Sequence, residues 1–253
     1  QAREKEVLAA HGYPADYLTV TVSCPICRDT GYDGSRLCAC VKRHAAEIQK
    51  QDLSTLLPVD KETFSTFRLD YYSSQPDSRF GLSPRQMAQA NLQRCRSFAE
   101  HFGSSYENLL LYGSAGLGKT FLSSCIARTV TERGFSVTYD TAISIFDQYN
   151  AVKFRTGDPA AAAHAVERFR SADLLIVDDL GTEMPSSFHT SCLYDLISRR
   201  LMSRKPTILS TNLLPAELEN RYSQAIASRI LGEFTQLRFI GSDIRRIRKQ
   251  QRL

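Results

Sequence analysis

The feature that most constrains this chain is a glycine-rich stretch, residues 113–120, which reads Gly-Ser-Ala-Gly-Leu-Gly-Lys-Thr. It matches G-x-x-x-x-G-K-[ST], the pattern of a phosphate-binding P-loop. The apolar residues before it predict a buried strand at residues 108–112, and those after it predict a helix at residues 121–130. This strand–loop–helix order distinguishes the stretch from a chance glycine-rich loop. The sequence therefore predicts a nucleotide-binding α/β domain.

A P-loop binds a triphosphate because its glycines let backbone N–H groups turn inward, and the helix that follows adds partial positive charge. Lys119 can reach the β- and γ-phosphates of ATP, and the Thr120 hydroxyl can bind Mg²⁺. Lys119 is therefore also a catalytic candidate. The residues predicted to contact the nucleotide are Gly113, Ser114, Ala115, Gly116, Leu117, Gly118, Lys119, Thr120 and Phe121.

Two further apolar segments end in polar residues. Residues 174–178 predict a buried strand that delivers the carboxylate of Asp178 to Mg²⁺ beside the P-loop. Asp179 stands where a general base could orient an attacking water. Residues 207–211 predict another strand, and Asn212 after it can position a water or contact the γ-phosphate. A strand followed by a polar turn would explain either segment alone, so these assignments depend on the P-loop.

The order of the predicted elements indicates the fold class. Strands alternate with helices from residue 83 onward, which predicts a parallel sheet covered by helices on both faces. Two more strands are predicted at residues 135–139 and 236–240. Residues 64–76 are polar, with scattered aromatic side chains and little periodicity, and this pattern is typical of a linker.

Seven cysteines are present, and four of them fall within residues 24–40. C-x₂-C followed by C-x-C supplies four thiolates, which suit a tetrahedral structural Zn²⁺ ion. His44 is an alternative to the last ligand, and free thiols or a redox dithiol are the alternatives to a metal. The predicted zinc ligands are Cys24, Cys27, Cys38 and Cys40. We accordingly expect a helical, zinc-binding domain at residues 1–58 and an ATPase domain at residues 59–253.

Composition adds expectations about the protein's surroundings. No apolar run approaches the roughly 18 residues of a membrane span. Clustered cysteines in a P-loop protein indicate metal rather than disulfides, so we expect a cytoplasmic protein with no membrane partner. The net charge is +5, and basic residues cluster within residues 238–252. That cluster fits either phosphate contacts or a solvated terminal helix.

Together, the P-loop, the strand ending in Asp178 and the Ser-Thr-Asn sequence at residues 210–212 resemble the AAA+ ATPases. The resemblance is closer to the bacterial replicative helicase loaders of the DnaC and DnaI type, and to their transposition-helper relative IstB. Residues 177–183, 226–230 and 239–245 support it. The resemblance covers residues 60–253 and implies an AAA+ P-loop sheet flanked by helices, with a small N-terminal zinc-binding domain.

This resemblance implies roles that spacing alone would not indicate. Arg229 occupies the position of the arginine finger, which reaches into a neighbouring subunit's site, and Arg245 that of an arginine contacting the nucleotide of its own subunit. A surface ion pair is the alternative for both arginines. Many AAA+ ATPases carry Asp-Glu where this chain has Asp178-Asp179, so hydrolysis is expected to be slow, with Glu183 as an alternative base. The predicted catalytic residues are Lys119, Asp178, Asp179, Asn212 and Arg229.

The implied function is ATP-dependent loading of a hexameric replicative DNA helicase onto single-stranded DNA, with self-association through the ATPase domain. One alternative is an IstB-like transposition helper acting on duplex DNA, which the cysteine cluster argues against. Another is a non-hydrolysing ATP-switch adaptor, which the Asp179 departure leaves open. A P-loop kinase is disfavoured because no arginine-rich substrate lid is evident.

Contact with single-stranded DNA is less clearly marked. Lys153, Phe154 and Arg155 form a basic–aromatic–basic triplet that can stack on a base and neutralise a phosphate. The alternative is an amphipathic helix that buries Phe154, and Tyr149 is equally open to both interpretations. Three aromatic residues either border the adenine or pack the linker against the core: Phe64, Phe67 and Tyr72.

Overall fold

The structure, a computed structural model, describes residues 2–14, 17 and 22–250. Two compact units are distinguished, Gln1–Ala45 and Ala46–Leu253. In the first unit, α1 (Ala2–Ala10) is followed by a short antiparallel hairpin of β1 (Tyr32–Asp33) and β2 (Arg36–Leu37). Its buried residues include three of the clustered cysteines. Helix α2 spans Ala39–Leu56.

The second unit is built on a five-stranded sheet with the strand order β4-β5-β6-β3-β7. All neighbouring strands pair in parallel. The strands are β3 (Asn108–Tyr112), β4 (Val137–Thr141), β5 (Leu174–Leu180), β6 (Thr207–Thr211) and β7 (Phe234–Arg238). The predicted parallel sheet is confirmed, and its order places the ends of β5 and β6 beside the end of β3, where the P-loop begins.

Helices cover the sheet, and a 3₁₀ helix, Leu69–Tyr71, precedes them. The helices are α3 (Pro84–Glu100), α4 (Lys119–Glu132), α5 (Ala142–Phe154), α6 (Pro159–Ser171), α7 (Ser187–Met202), α8 (Pro215–Arg221), α9 (Gln224–Glu233) and α10 (Ile244–Gln250). Among the described residues, none of these helices combines the length and the apolar character needed to span a bilayer.

Alternating side chains of the strands divide the core into two clusters, one on each face of the sheet. Leu109 and Leu111 of β3 pack with Ile126 of α4 on one face. Leu110 packs with Phe146 of α5 on the other face. Because both faces of the sheet are buried, the inner strands β3 and β5 are almost continuously apolar, as expected for a parallel sheet, whereas the edge strands β4 and β7 alternate.

A fully buried arginine joins helices to the sheet on the side away from the P-loop. Arg200 is 1% exposed, and its guanidinium donates to the hydroxyl of Thr207 and to the carbonyls of Phe169, Ala172 and Pro206. Burial lowers the pKa of Arg200 to about 10. The guanidinium thus supplies hydrogen bonds to carbonyls at the C-terminal end of α6 and just before β6.

Two strands differ from the predictions by two residues each. The predicted strand 135–139 begins instead at Val137, because Phe135 packs edge-to-face on Phe102, with ring centres 5.0 Å apart, and pairing with β5 starts at Val137. The predicted strand 236–240 instead spans Phe234–Arg238, because its pairing with β3 ends where β3 ends. Beyond it, Phe239 and Ile240 are buried, and the N–H of Phe239 still donates to the carbonyl of Tyr112 at 2.8 Å.

The predicted linker at residues 64–76 is wrong, because this segment is packed against the P-loop. Tyr72 is 3% exposed, and its hydroxyl donates to the carbonyl of Leu117 at 2.8 Å. Phe67 packs on Phe121, with ring centres 5.5 Å apart. The segment therefore forms part of the wall of a cavity beside the P-loop.

Candidate nucleotide-binding site

A cavity of about 640 Å³ lies at the C-terminal edge of the sheet, beside the P-loop. This edge is where open α/β sheets bind ligands. Its lining combines P-loop residues, polar residues that follow β5 and β6, and residues of α10 and of the 3₁₀ segment. The lining includes Phe67, Tyr71, Tyr72, residues 115–121, Asp179, Asn212, Arg245 and Arg248.

The P-loop has the backbone conformation that only glycine adopts without strain. Gly113 and Gly116 have φ values of +137° and +75°. A side chain at Gly113 would overlap the carbonyl of Phe239, and one at Gly116 would overlap the carboxylate of Asp243. The loop is also joined to α10, because the N–H of Ile244 donates to the carbonyl of Gly116 at 2.9 Å.

Lys119 is 5% exposed, and its ammonium group points back into the P-loop. The Nζ atom donates to the carbonyls of Gly113 and Ser114 and to Asn212 Oδ1, at 2.6, 2.8 and 2.8 Å. Burial lowers the pKa of Lys119 from its usual 10.5 to about 8, although the negative charges of Asp179 and Asp178 act in the opposite direction. The structure therefore brings together three of the predicted site residues, Lys119, Asp179 and Asn212.

Asp178 is 2% exposed and lies at the centre of a group of hydroxyls. Its Oδ2 atom accepts from Thr120 Oγ1 at 2.9 Å and from Tyr139 Oη at 2.8 Å, and its Oδ1 atom accepts from Ser210 Oγ. The predicted pair Thr120 and Asp178 is thus in direct contact. A hydroxyl and a carboxylate are the hard oxygen donors that Mg²⁺ prefers, so these two residues fit that ion.

Sequence reasoning missed Tyr139 and Ser210, which complete this group. Both lie on strands that pair directly with β5, the strand that carries Asp178: Tyr139 in the middle of β4 and Ser210 near the C-terminal end of β6. Polar residues at such ends of neighbouring strands were the available signal, but Tyr139 sits in an alternating apolar pattern typical of a core residue.

Asp179 faces the cavity although the residue before it is buried. The pairing of β5 with β6 shifts register between Val177 and Leu180, and Asp179 has a φ of +53°. Burial and the charge of Asp178 raise the pKa of Asp179, while Lys119 and Arg245 lower it. The bulge therefore separates two adjacent carboxylates into different environments.

Glu183, the alternative base, does not line the cavity. It is 5% exposed and accepts hydrogen bonds from the N–H of Gly181 at 2.9 Å and from the hydroxyl of Tyr222 at 2.6 Å. Its carboxylate also lies 3.7 Å from Arg221. These contacts hold Glu183 in a loop outside the cavity lining, so its role as a substitute base stays a prediction that the geometry does not support.

The two predicted arginines occupy different places. Arg245 lines the cavity, together with Arg248 one turn later, which sequence reasoning did not select. Arg229 lies on α9 outside the lining, where it donates to the hydroxyl of Tyr194 at 2.8 Å with the guanidinium 4.7 Å from the ring centre. Arg229 is therefore not a residue of this chain's own cavity.

Aromatic side chains form one wall of the cavity. Phe67, Tyr71, Tyr72 and Phe121 line it, while Phe64 packs against the core beneath the guanidinium of Arg96. The aromatic residues were expected either to border the adenine or to pack against the core. Phe67 and Tyr72 fit both interpretations, because they pack against the P-loop and also border the cavity. Phe64 follows the packing interpretation.

In the N-terminal unit, the four clustered cysteines bring their sulfur atoms within 4.8 Å of one another. The sulfurs of Cys24 and Cys38 are 3.8 Å apart, and those of Cys27 and Cys40 are 3.4 Å apart. Tetrahedral Zn²⁺ with bonds of about 2.3 Å requires sulfur separations of about 3.8 Å, so the group fits this ion. The backbone N–H groups of Cys27 and Ile26 lower the pKa of the Cys24 thiol to about 7, and His44 is not part of the group.

The helix end predicted to contact DNA is exposed. Phe154 is 61% exposed, so the alternative that it is buried by an amphipathic helix is wrong. The Nζ atom of Lys153 lies 3.8 Å from the ring centre of Phe188, and the rings of Phe154 and Phe188 are 6.1 Å apart. Tyr149 is 8% exposed and belongs to the core.

Comparisons with known proteins agree with this geometry. Residues 77–251 match the family model of the IstB-like ATP binding protein. The replicative helicase loader DnaC of Escherichia coli K12 is 25% identical over 141 residues, or 55% of this chain and 56% of that protein. An ATP-binding protein of a Mycobacterium tuberculosis insertion sequence is 28% identical over 116 residues, or 43% and 42% of the two chains. This chain thus spans little more than half the length of the DnaC relatives.

Solved structures share the fold. A replication initiator DnaA bound to AMPPCP and single-stranded DNA aligns with a TM-score of 0.57 and 19% identity, covering 76% of this chain and 55% of that one. The DnaC helicase loader aligns with a TM-score of 0.55 and 20% identity, covering 70% and 98%. The predicted α/β fold, a parallel sheet flanked by helices, is therefore confirmed for the five-stranded sheet, while the AAA+ assignment and a zinc-bearing N-terminal domain stay predictions.

Proposed function

Because this chain belongs to the IstB-like ATP-binding protein family, we propose that it is an AAA+ ATPase that loads a hexameric replicative DNA helicase onto single-stranded DNA. The observation that carries the nucleotide part is the contact of Thr120 with Asp178 beside the P-loop lysine. The resemblance to helicase loaders carries the choice of partner.

The cavity's residues divide the work of binding and hydrolysis. The P-loop N–H groups and Lys119 hold the phosphates, while Thr120 and Asp178 hold Mg²⁺, which neutralises charge on the phosphates when bound. Asp179 orients the attacking water. Its carboxylate is one methylene shorter than that of Glu, so hydrolysis is slow and ATP serves mainly as a switch.

Charge supports the assignment of a triphosphate to this cavity. Five basic side chains line it, against the two acids Glu62 and Asp179. Arg245 contacts the nucleotide from α10, and the aromatic wall offers a surface on which adenine can stack. The basic side chains are Lys61, Arg68, Lys119, Arg245 and Arg248.

Self-association completes the site. Arg229 lies outside its own cavity and is held on the surface residue Tyr194, as expected for an arginine that enters a neighbouring subunit. Its guanidinium there stabilises charge on the transferred phosphoryl group. ATP binding is thereby linked to assembly of the ATPase units.

The exposed end of α5 is the proposed contact with single-stranded DNA. Lys153 supplies positive charge and Phe154 an exposed ring for base stacking, with Phe188 beside them. The cysteine group binds a structural Zn²⁺ through Cys24, Cys27, Cys38 and Cys40, and its unit docks on the helicase. Such a protein works in the cytoplasm.

The partner is tested by mixing the full chain with the replicative helicase of its host and separating complexes by size, with ATP, with ADP and without nucleotide. We expect a complex whose amount depends on the nucleotide. Lys119→Ala should retain its thermal stability and lose this dependence. Failure of the wild-type chain to bind the helicase in every state would reject the loader function while leaving ATP binding intact.

An IstB-like transposition helper is the second candidate, and the family model and the insertion-sequence relative favour it. It predicts ATP-dependent binding to duplex DNA rather than to a helicase. Fluorescence anisotropy with duplex and single-stranded oligonucleotides of equal length separates the two candidates. Preference for the duplex, together with no helicase complex, would support the transposition function.

A further inference from the structure

The carboxylate of Asp178 is nearly saturated by hydroxyl donors, which we call the hydroxyl cage: Thr120, Tyr139 and Ser210. An ionised carboxylate has about four acceptor positions. Thr120 and Tyr139 occupy the two positions on Oδ2, and Ser210 occupies one on Oδ1. One acceptor position of Oδ1 therefore remains for Mg²⁺ or for a water bound to it.

Only one member of the cage has a direct role in the proposed Mg²⁺ site. Thr120 belongs to the P-loop, and its hydroxyl is itself a proposed Mg²⁺ ligand. Tyr139 and Ser210 instead come from β4 and β6, the strands on either side of β5. The ring of Tyr139 is 8% exposed and belongs to the same core cluster as Ile176, the residue it pairs with across the strands. Its position is thus fixed by the sheet rather than by the ligand.

We propose that Tyr139 and Ser210 are positioning residues that set the Mg²⁺ affinity of the site. Each holds one oxygen of Asp178, so the carboxylate cannot rotate and its one free acceptor position keeps a fixed direction. Hydrogen-bond partners of metal ligands commonly change metal affinity in this way. This inference requires only that the chain binds Mg²⁺ and ATP, and it is independent of the helicase.

Packing alone is the competing explanation, since Tyr139 is also a core residue. The two explanations differ in what the hydroxyl does. Tyr139→Phe keeps the ring and removes the donor, so packing predicts no effect on the metal, whereas positioning predicts a selective loss of Mg²⁺ affinity. The same chain offers a matched control in Tyr149→Phe, because Tyr149 is equally buried and its hydroxyl has no hydrogen-bond partner among the described residues.

The experiment measures two affinities of the full chain with a fluorescent ATP analogue. ATP binding is titrated in EDTA, and Mg²⁺ is then titrated at a fixed, saturating ATP concentration. In Tyr139→Phe we expect the half-saturating Mg²⁺ concentration to rise about tenfold, with ATP affinity in EDTA within about twofold of wild type. Tyr149→Phe should match wild type in both titrations.

Ser210→Ala tests the other oxygen of Asp178 and is expected to give the same pattern. If Tyr139→Phe lowers the melting temperature strongly, two other measurements decide between positioning and packing. One is the Mg²⁺ titration of Ser210→Ala, and the other is the comparison of the Mn²⁺ spectrum between the wild-type and variant complexes. Unchanged Mg²⁺ affinity in both variants would overturn the inference, as would equal losses with and without metal. Absence of ATP binding by the wild-type chain would instead reject the proposed function.

Discussion

Replacing Gly116 by alanine tests whether α10 is fixed to the P-loop as described. Two costs are expected. The φ of +75° disfavours any side chain by about 1 kcal/mol, and the new methyl group would overlap the carboxylate of Asp243. That carboxylate accepts from the N–H of Arg245 at the start of α10, and loss of such a cap costs about 1 kcal/mol.

Gly134→Ala is the matched control. Gly134 has a similar φ of +87°, but an added methyl group there would meet no atom within 4 Å in the part of the chain that the structure describes. We therefore expect Gly134→Ala to cost about 1 kcal/mol, and Gly116→Ala about 2 to 3 kcal/mol. At about 3 °C per kcal/mol for a chain of this size, the melting temperatures should fall by about 3 °C and 6 to 9 °C.

The assay is thermal unfolding followed by circular dichroism, combined with an ATP titration. Gly116→Ala should also weaken ATP binding, because displacement of α10 moves Arg245 and Arg248, which line the cavity. Gly134→Ala should bind ATP normally. The combination of Gly116→Ala with Asp243→Ala should lose less stability than the sum of the single changes. Equal melting temperatures and ATP affinities for Gly116→Ala and Gly134→Ala would refute the reasoning.

Three further outcomes are expected. Since burial lowers the pKa of Lys119 to about 8, the unfolded chain keeps this proton between pH 8 and 10.5, so the contribution of Lys119 to the free energy of unfolding should rise over that range. Burial raises the pKa of the Cys95, Cys125 and Cys192 thiols, which oppose this rise above pH 9. Triphosphate should restore the proton, so calorimetry near pH 8 in buffers of different ionisation enthalpy should detect proton uptake on ATP binding; no buffer dependence would contradict this. Mass spectrometry of the reduced wild-type chain should find one Zn²⁺. The ion should be lost in Cys27→Ser but retained in Cys192→Ser, and absence of metal from both the wild type and Cys192→Ser would exclude the site. Arg200→Met should lower the free energy of unfolding by about 3 kcal/mol, because it leaves buried carbonyls unpaired; a melting temperature within 2 °C of wild type would contradict that role.

The sequence predicts correctly those parts of the fold that depend on residues close to one another along the chain. Strands β3 and β6 lie where their apolar runs predict, and the P-loop glycines have the predicted backbone freedom. The strand that ends in Asp178 is also confirmed, although it continues to Leu180 through a bulge. Such features follow from hydrophobic periodicity and from the steric requirements of glycine.

Contacts between distant residues were not accessible in this way. Tyr72 and Leu117, or Tyr139 and Asp178, meet only because strands and loops far apart in sequence converge. Each tyrosine combines an apolar ring with one hydroxyl, and the ring dominates any pattern based on hydropathy. Arg200 is missed for the related reason that a charged residue is expected at the surface.

The bulge in β5 places the neighbouring residues Asp178 and Asp179 under different constraints. Asp178 is embedded among hydroxyls from three elements, so a change at that position disturbs several partners together. The carboxylate of Asp179 instead lines the cavity, where it interacts through its charge with Lys119 and Arg245. Under the proposed roles, a substitution at position 179 can change how long ATP stays unhydrolysed, while the P-loop and Lys119 still bind its phosphates. A change at this one position can thus alter the timing of the ATP switch while the nucleotide-binding residues stay the same.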